Sequence, residues 1–114
     1  MITVIFEVFP KEENKQEYLD IAAKLKPMLA NVDGFISIER FASLQDPNKI
    51  LSLSFWKDEQ SIENWRTEAM HRHGQASGLH HIFSDYRIRV GQIVRDYGLE
   101  DRIEAPRDSK EYHK

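Results

Sequence analysis

Apolar and polar positions alternate with period two from residue 2 to residue 9. Ile2, Val4, Phe6 and Val8 fall on one side, Thr3, Ile5, Glu7 and Phe9 on the other. Both sides are partly apolar, which predicts a strand covered on both faces. Pro10 ends it. The period then lengthens: Tyr18, Ile21, Ala22, Leu25, Leu29 and Val32 recur at helical spacing and make one apolar stripe. Asn14 and Glu17 stand before it as a helix-capping pair. Pro27, inside the stripe, should kink the last turns or tighten them, and Asp33-Gly34 reads as the stop signal.

Residues 35–43 and 49–56 predict two further strands, joined at the turn cluster Gln45-Asp46-Pro47-Asn48. Asp58 is placed to cap the helix that follows, with Glu59 in its first turn where the helix dipole favours a carboxylate. Ile62, Trp65 and Ala69 continue at helical spacing. Gly74 and Gly78 make the later part less regular, which predicts two helical pieces with a break near residues 67–70. Residues 84–97 predict a long last strand. Tyr86, Ile88, Val90, Gln92 and Val94 share one face, and Arg87, Arg89, Gly91, Ile93, Arg95 and Tyr97 share the other. Gly91 in mid-strand predicts a bulge or a close backbone approach.

The element order is β-α-β-β-α-β, the ferredoxin-like split β-α-β motif of an α+β domain. It implies a four-stranded antiparallel sheet with both helices on one face. The opposite sheet face still carries apolar side chains, and no element of the chain is left to cover it. A second copy packed sheet against sheet removes that exposure, so the expected assembly is a homodimer through the open sheet face. The domain is expected to span residues 1–98. Residues 99–114 are too polar for core and are expected to form a polar C-terminal arm or frayed tail.

Composition narrows the function classes. With 114 residues the chain is long enough for one domain. Apolar runs are short, so no membrane span is expected, and the strand pattern at Met1-Ile2-Thr3-Val4 is unlike a secretory leader. The chain has no cysteine, which removes disulfides, thiolate metal sites and cysteine nucleophiles and fits a cytoplasmic protein. The net charge of −3 is mixed along the chain, with no basic stripe for a run of phosphates, so nucleic acid is not an expected partner. Phosphate-loop, dinucleotide and nucleophile-elbow motifs are missing from the sequence.

Four histidines, His71, His73, His80 and His81, lie within eleven residues of one another. Imidazole can serve as a base near neutral pH or as a metal ligand. None of the four forms the i, i+4 pair of helical zinc sites, and no metal is expected. His71 reads either as a pocket base or as a solvated histidine. Trp65 falls on the apolar helix stripe and reads as a core residue or as a pocket wall that stacks on a flat ligand. Trp56 ends the third strand and reads as packing. Arg87, Arg89 and Arg95 share one strand face and need partners, either ion pairs at an interface, with Glu7 or Glu39 across the sheet, or an anion.

The segment Phe55-Trp56-Lys57-Asp58-Glu59-Gln60-Ser61-Ile62-Glu63-Asn64-Trp65-Arg66 resembles the antibiotic biosynthesis monooxygenase (ABM) family of dimeric α+β barrels. So do the runs Glu68-Ala69-Met70-His71-Arg72-His73-Gly74-Gln75 and Phe83-Ser84-Asp85-Tyr86-Arg87-Ile88-Arg89-Val90, with Arg95-Asp96-Tyr97-Gly98 after them. The resemblance implies a cofactor-independent monooxygenase acting on an aromatic or quinol-like compound that itself reduces O2. In that reading His71 is the base, and Trp65 and Phe83 are flat walls. Tyr86 or Arg66 donates a hydrogen bond to the developing anion, and His73 also contacts substrate. The alternative is a non-catalytic dimer that binds haem or a hydrophobic metabolite. Haem degradation fits less well. That branch of the family uses a first-strand Asn, a helix Trp and a helix His; Trp65 matches, but Phe6-Glu7-Val8 holds no Asn and position 75 is Gln.

Overall fold

The structure, a computed structural model, describes residues 1–73 and 81–112, with side chains through residue 68 and from 81 to 110. In chain order it holds β1 (Ile2–Pro10), α1 (Lys15–Leu29), β2 (Phe35–Ala42), β3 (Ile50–Trp56), α2 (Glu59–His73), β4 (Phe83–Gln92) and α3 (Arg107–Tyr112). The strands form one antiparallel sheet in the order β2-β3-β1-β4, which is the expected split β-α-β topology.

Register sorts the two faces. Val4 lies opposite Ser54 and Val90, Phe6 opposite Ser52 and Ile88, and Val8 opposite Ile50 and Tyr86. These rows carry the helices. One apolar cluster joins Val8, Tyr18, Ile50 and Ile82, with Phe6, Ile21 and Phe83 against it. A second joins Leu29, Val32 and Trp56, with Val4, Phe35, Ile38, Ile62 and Trp65. Trp56 is buried as packing: its ring meets Phe35 edge-on at 5.2 Å, and its indole N–H donates to the Ser54 hydroxyl at 2.9 Å. The alternate residues Ile5, Glu7, Leu51, Leu53, Arg87 and Arg89 face away from both helices.

Several local expectations change. Asn14 donates to the Glu17 carboxylate at 3.0 Å, so the two side chains bond each other and no side-chain cap reaches the backbone. Helix α1 runs through Pro27, and the tightening falls just beyond it, where Asn31 N–H and Val32 N–H reach back three residues to Met28 and Leu29. Helix α2 is continuous from 59 to 73, with no break at 67–70; that run contains neither Gly nor Pro. Gly91 sits in regular register opposite Thr3, and the irregularity in the β1–β4 pairing lies at Phe9 and Pro10. Strand β4 stops at Gln92, although Ile93 N–H still bonds the Met1 carbonyl at 3.0 Å.

The C-terminal arm has its own order. Arg102 lies over the Tyr97 ring at 5.1 Å and donates to the carbonyls of Gly98 and Ser109, each at 3.1 Å, and to the Ser109 hydroxyl. No described helix is long and apolar enough to cross a membrane.

Candidate functional site

The first turn of α2 fixes one wall of the site. Asp58 accepts from Ser61 N–H at 2.9 Å and from the Ser61 hydroxyl at 2.7 Å, which is the expected cap. The hydroxyl first and the backbone N–H second hold the Asp58 carboxyl below its usual range. Ser61 is buried against Gly34, whose φ of +88° follows the end of α1. Gly34 also accepts from Lys57 N–H at 2.7 Å, so the turn after α1 is tied to the junction between β3 and α2.

Beyond this anchor α2 stands off from the edge strand. Glu59, Ile62, Glu63 and Arg66 from α2, with Val90 from β4, line a cavity of about 280 Å³. The strip of β4 that faces the helices is only partly covered: Tyr86, Ile88 and Val90 are 44, 49 and 51 % exposed. At the far end of this strip lies an aromatic group. Phe83 is 6.0 Å from Phe6, 5.5 Å from Tyr18 and 6.1 Å from Tyr86, and Phe6 is 5.7 Å from Tyr86. The helix side of the sheet therefore carries an apolar groove with an aromatic end and a charged mouth.

Arg66 lines the cavity beside Val90, while Phe83 and Tyr86 meet 6.1 Å apart at the other end of the strip and are not among the cavity's lining residues. Arg66 is exposed, with no ion pair among the described residues. Trp65 is half-buried and packs on the Trp56 cluster, so its core reading holds, and any contact with a ligand would come from its remaining exposed part. His71 and His73 belong to the last turn of α2, and their side chains lie outside the described residues, as does His80. His81 bonds Glu17 of α1 at 3.2 Å. Asn14 first, then His81, lowers the Glu17 carboxyl. Sequence reasoning missed Glu59, Glu63, Ile88 and Val90 as lining or flanking residues. Their signal was present in the alternation Tyr86, Ile88, Val90 opposite a helix whose apolar stripe holds only Ile62, Trp65 and Ala69.

On the open face Glu7 bonds both Lys49 and Arg89 at 3.4 Å. Burial works against the Glu7 carboxylate, but the two cations prevail and hold it below the usual carboxylate range. Glu39 lies opposite Leu53, three strands from β4 and about 14 Å away at normal strand spacing, so within one chain it cannot serve Arg89.

The antibiotic biosynthesis monooxygenase family profile matches residues 1–77. A jasmonate monooxygenase of the fungus Pyricularia oryzae is 50% identical over 94 residues, which are 82% of this chain and 44% of that protein. The chain thus spans less than half the length of that relative. Among solved structures, a variant of SnoaB, a cofactor-independent oxygenase from Streptomyces nogalater, superposes with a TM-score of 0.69 at 12% identity, over 83% of this chain and 94% of that one. A variant of MhuD with two manganese protoporphyrin IX bound per active site gives 0.69 at 11% identity, over 86% and 99%. The likeness to both structures is one of fold. With the profile match and the fungal relative, the chain belongs to the antibiotic biosynthesis monooxygenase family.

Proposed function

We propose that the groove between α2 and β4 is the active site of a monooxygenase acting on a small, mostly apolar, acidic molecule without a resident redox cofactor. The observation that carries the reading is the uncovered strip Tyr86-Ile88-Val90, with aromatic rings at one end and at the other Arg66, which has no ion pair among the described residues. An apolar strip suits the body of the substrate, and an available guanidinium suits a carboxylate or developing oxyanion. Arg66 is the first choice for that donor, with the Tyr86 hydroxyl the second. The jasmonate activity of the fungal relative supports a substrate of this kind, and an aromatic or quinol-like compound meets the same description.

The chemistry asks for a proton acceptor. A methylene flanked by electron-withdrawing groups loses a proton and reduces O2 as the carbanion. The radical pair combines to a hydroperoxide, which loses water to leave a carbonyl. In sum the methylene and one molecule of O2 become a carbonyl and one molecule of water, and no outside reductant is needed for a substrate of that kind; jasmonate has no methylene so placed, and its hydroxylation would draw two electrons from an external reductant. His71 is the proposed base. Helix α2 runs back along the groove from Ile62, and nine residues of helix rise about 13 Å. The four residues from Val90 to Tyr86 span a similar distance, about 13 Å. His71 thus reaches the level of the aromatic end. Phe83 and Tyr86 flank the substrate there, and Trp65, His73 and Arg66 are its further proposed contacts.

The first-strand residue facing the groove is Phe6, while Glu7 points to the open face and is bound by Lys49 and Arg89. That arrangement offers no first-strand amide toward a haem, in keeping with a protein that does not degrade it. The test is oxygen uptake with a panel of jasmonate, hydroquinones and substrates with an activated methylene, each with and without an added two-electron reductant such as a nicotinamide, read with product mass. One oxygen atom incorporated per turnover supports the reading. No uptake across the panel, together with tight haemin binding at the Soret band, would replace it with the metabolite-binding alternative. The open sheet face, with Ile5, Leu51, Leu53 and Phe55 only half covered, supports assembly as a homodimer through that face. A mass near 13.4 kDa by light scattering at tens of micromolar protein would overturn the dimer.

A further inference from the structure

The proposed reaction uses Arg66 but gives no part to two of its neighbours. Glu59 and Glu63 line the same cavity as Arg66, together with Ile62 and Val90. Positions 59, 62, 63 and 66 recur at i, i+3, i+4 and i+7, so one face of α2 presents all four side chains to the cavity. Glu63 and Arg66 stand three residues apart, a spacing at which opposite charges on a helix can pair. They do not pair. Glu59, Glu63 and Arg66 are exposed, and none of them forms an ion pair among the described residues. The helix start accounts for Glu59, because the dipole favours a carboxylate in the first turn. Glu63 lies a turn further on, where that gain has faded, yet it still faces the cavity.

The two carboxylates lie on one side of the guanidinium only. Helical rise places Glu63 about 4.5 Å and Glu59 about 10 Å from Arg66, both toward the start of α2. Helix side chains also lean toward the helix start, so this order is kept at the cavity wall. The aromatic end lies the other way, where Phe83 and Tyr86 meet, with half-exposed Ile88 between them and Val90. A molecule held at Arg66 by one carboxylate can lay its body over Ile88 toward the rings and leave nothing beyond the guanidinium. A second carboxylate on the same head would project past Arg66 and meet Glu63 and then Glu59. We infer that Glu59 and Glu63 are specificity-determining residues that restrict the groove to molecules with a single acid group, carried at one end of an apolar body. Arg66 alone would attract a dianion more strongly than a monoanion. Discrimination therefore needs a repulsive element beside the attractive one, and the two glutamates supply it. This inference rests on the groove being the substrate site, and it adds what that site rejects.

Three matched probes test this by titration calorimetry at neutral pH and about 0.15 M salt, where exposed charges more than about 8 Å apart are largely screened. The first is ω-phenylhexanoate, one carboxylate on an apolar body with a terminal ring. The second adds a carboxymethyl group beside that carboxylate, and the third is the methyl half-ester of the second, with the same bulk and one charge. The wild type should bind the diacid at least about tenfold more weakly than the half-ester, the scale of two like charges a few ångströms apart near a protein surface. Glu59→Gln with Glu63→Gln keeps the shape of both side chains and removes both charges. In that variant diacid affinity should rise at least about tenfold and monoacid affinity no more than about threefold, with circular dichroism and thermal midpoint confirming the fold. Arg66→Ala should weaken the monoacid at least about tenfold. If ω-phenylhexanoate does not bind, or Arg66→Ala leaves its binding unchanged, the reading of the groove falls and this inference with it. If the monoacid binds through Arg66 but the diacid binds as well as its half-ester, or the glutamine variant keeps the wild-type preference, charge selection alone is overturned.

Discussion

Replacing Gly34 with Ala should be among the most damaging single-methyl additions in this chain. At φ +88° an L-residue is strained, and a left-handed backbone costs about 1–2 kcal/mol. The added Cβ would also meet the Ser61 hydroxyl oxygen at 1.9 Å and the Ser61 Cβ at 2.8 Å. Ser61 cannot retreat freely, because it is buried and its N–H and hydroxyl are both held by Asp58. Overpacking of this kind costs about 1–3 kcal/mol more. The total loss should be about 2–5 kcal/mol in urea unfolding at fixed protein concentration, with an unchanged m value. Ser61→Gly removes both offending atoms, at a cost of about 0.5 kcal/mol in helix propensity and about 1–3 kcal/mol for the hydrogen bond its hydroxyl gives Asp58. The Gly34→Ala/Ser61→Gly double variant should therefore lose about 1–3 kcal/mol less than the sum of the two single losses, because the steric clash is counted in Gly34→Ala alone. Because Gly34 also accepts from Lys57 N–H, the single variant should tilt the start of α2 and weaken ligand binding in the groove. A loss below about 1 kcal/mol for Gly34→Ala, or simple additivity in the double variant, would refute the steric argument.

Three further outcomes follow from the site and the open face. His71→Ala should lower turnover by roughly 10²–10⁴-fold, the usual worth of a positioned base, with little change in thermal midpoint; full activity would remove His71 from the mechanism. Arg66→Ala should raise KM for a carboxylate-bearing substrate far more than it lowers kcat, while leaving a neutral analogue unaffected; equal effects on both substrates would show that Arg66 does not bind the acid. Glu7 titrates below its ordinary value of 4.5 in the folded chain. Its contribution to stability should be complete above that unfolded value and disappear as pH falls through the lower folded one. Glu7→Gln should flatten this acid limb, and an acid-unfolding curve identical to wild type would show that the Lys49–Glu7–Arg89 group contributes nothing.

The strands, their faces and their order were legible because period two survives wherever both faces of a sheet are partly apolar. Val4, Phe6 and Val8 could point only one way once Glu7 pointed the other. Helix limits were less legible. Pro27 weighs against helix, but it lies in the last turn of α1, where only one backbone bond is lost, and Leu29 and Val32 still gain burial beside Trp56. Gly74 and Gly78 suggested a break in α2 upstream of themselves, although nothing in 59–73 opposes helix. The internal order of the arm was not legible for a related reason. Its charge density reads as solvated chain, yet Arg102, with five donors, organises Tyr97, Gly98 and Ser109 into a fixed turn.

The groove was half legible. Phe83, Tyr86 and Arg66 followed from resemblance; Phe83 and Tyr86 contact each other, and Arg66 lines a cavity near Val90 that neither of them reaches. What the linear reading did not bring out is how little of the edge strand the helices cover. With β4 at the edge beside β1, the side chains of Tyr86, Ile88 and Val90 extend past the cover that α1 and α2 give the central strands. The same edge position places Arg87 and Arg89 on the opposite face, where Glu7 binds Arg89 together with Lys49. One strand thus leaves two surfaces unfinished, an apolar strip toward the helices and a basic strip toward the open side. Exposed hydrocarbon in the groove can be relieved by a small ligand, because the cavity is confined between α2 and β4. The basic strip runs along the sheet edge beside Ile5, on the same face as Leu51, Leu53 and Phe55, which is the face through which assembly with a second copy is proposed.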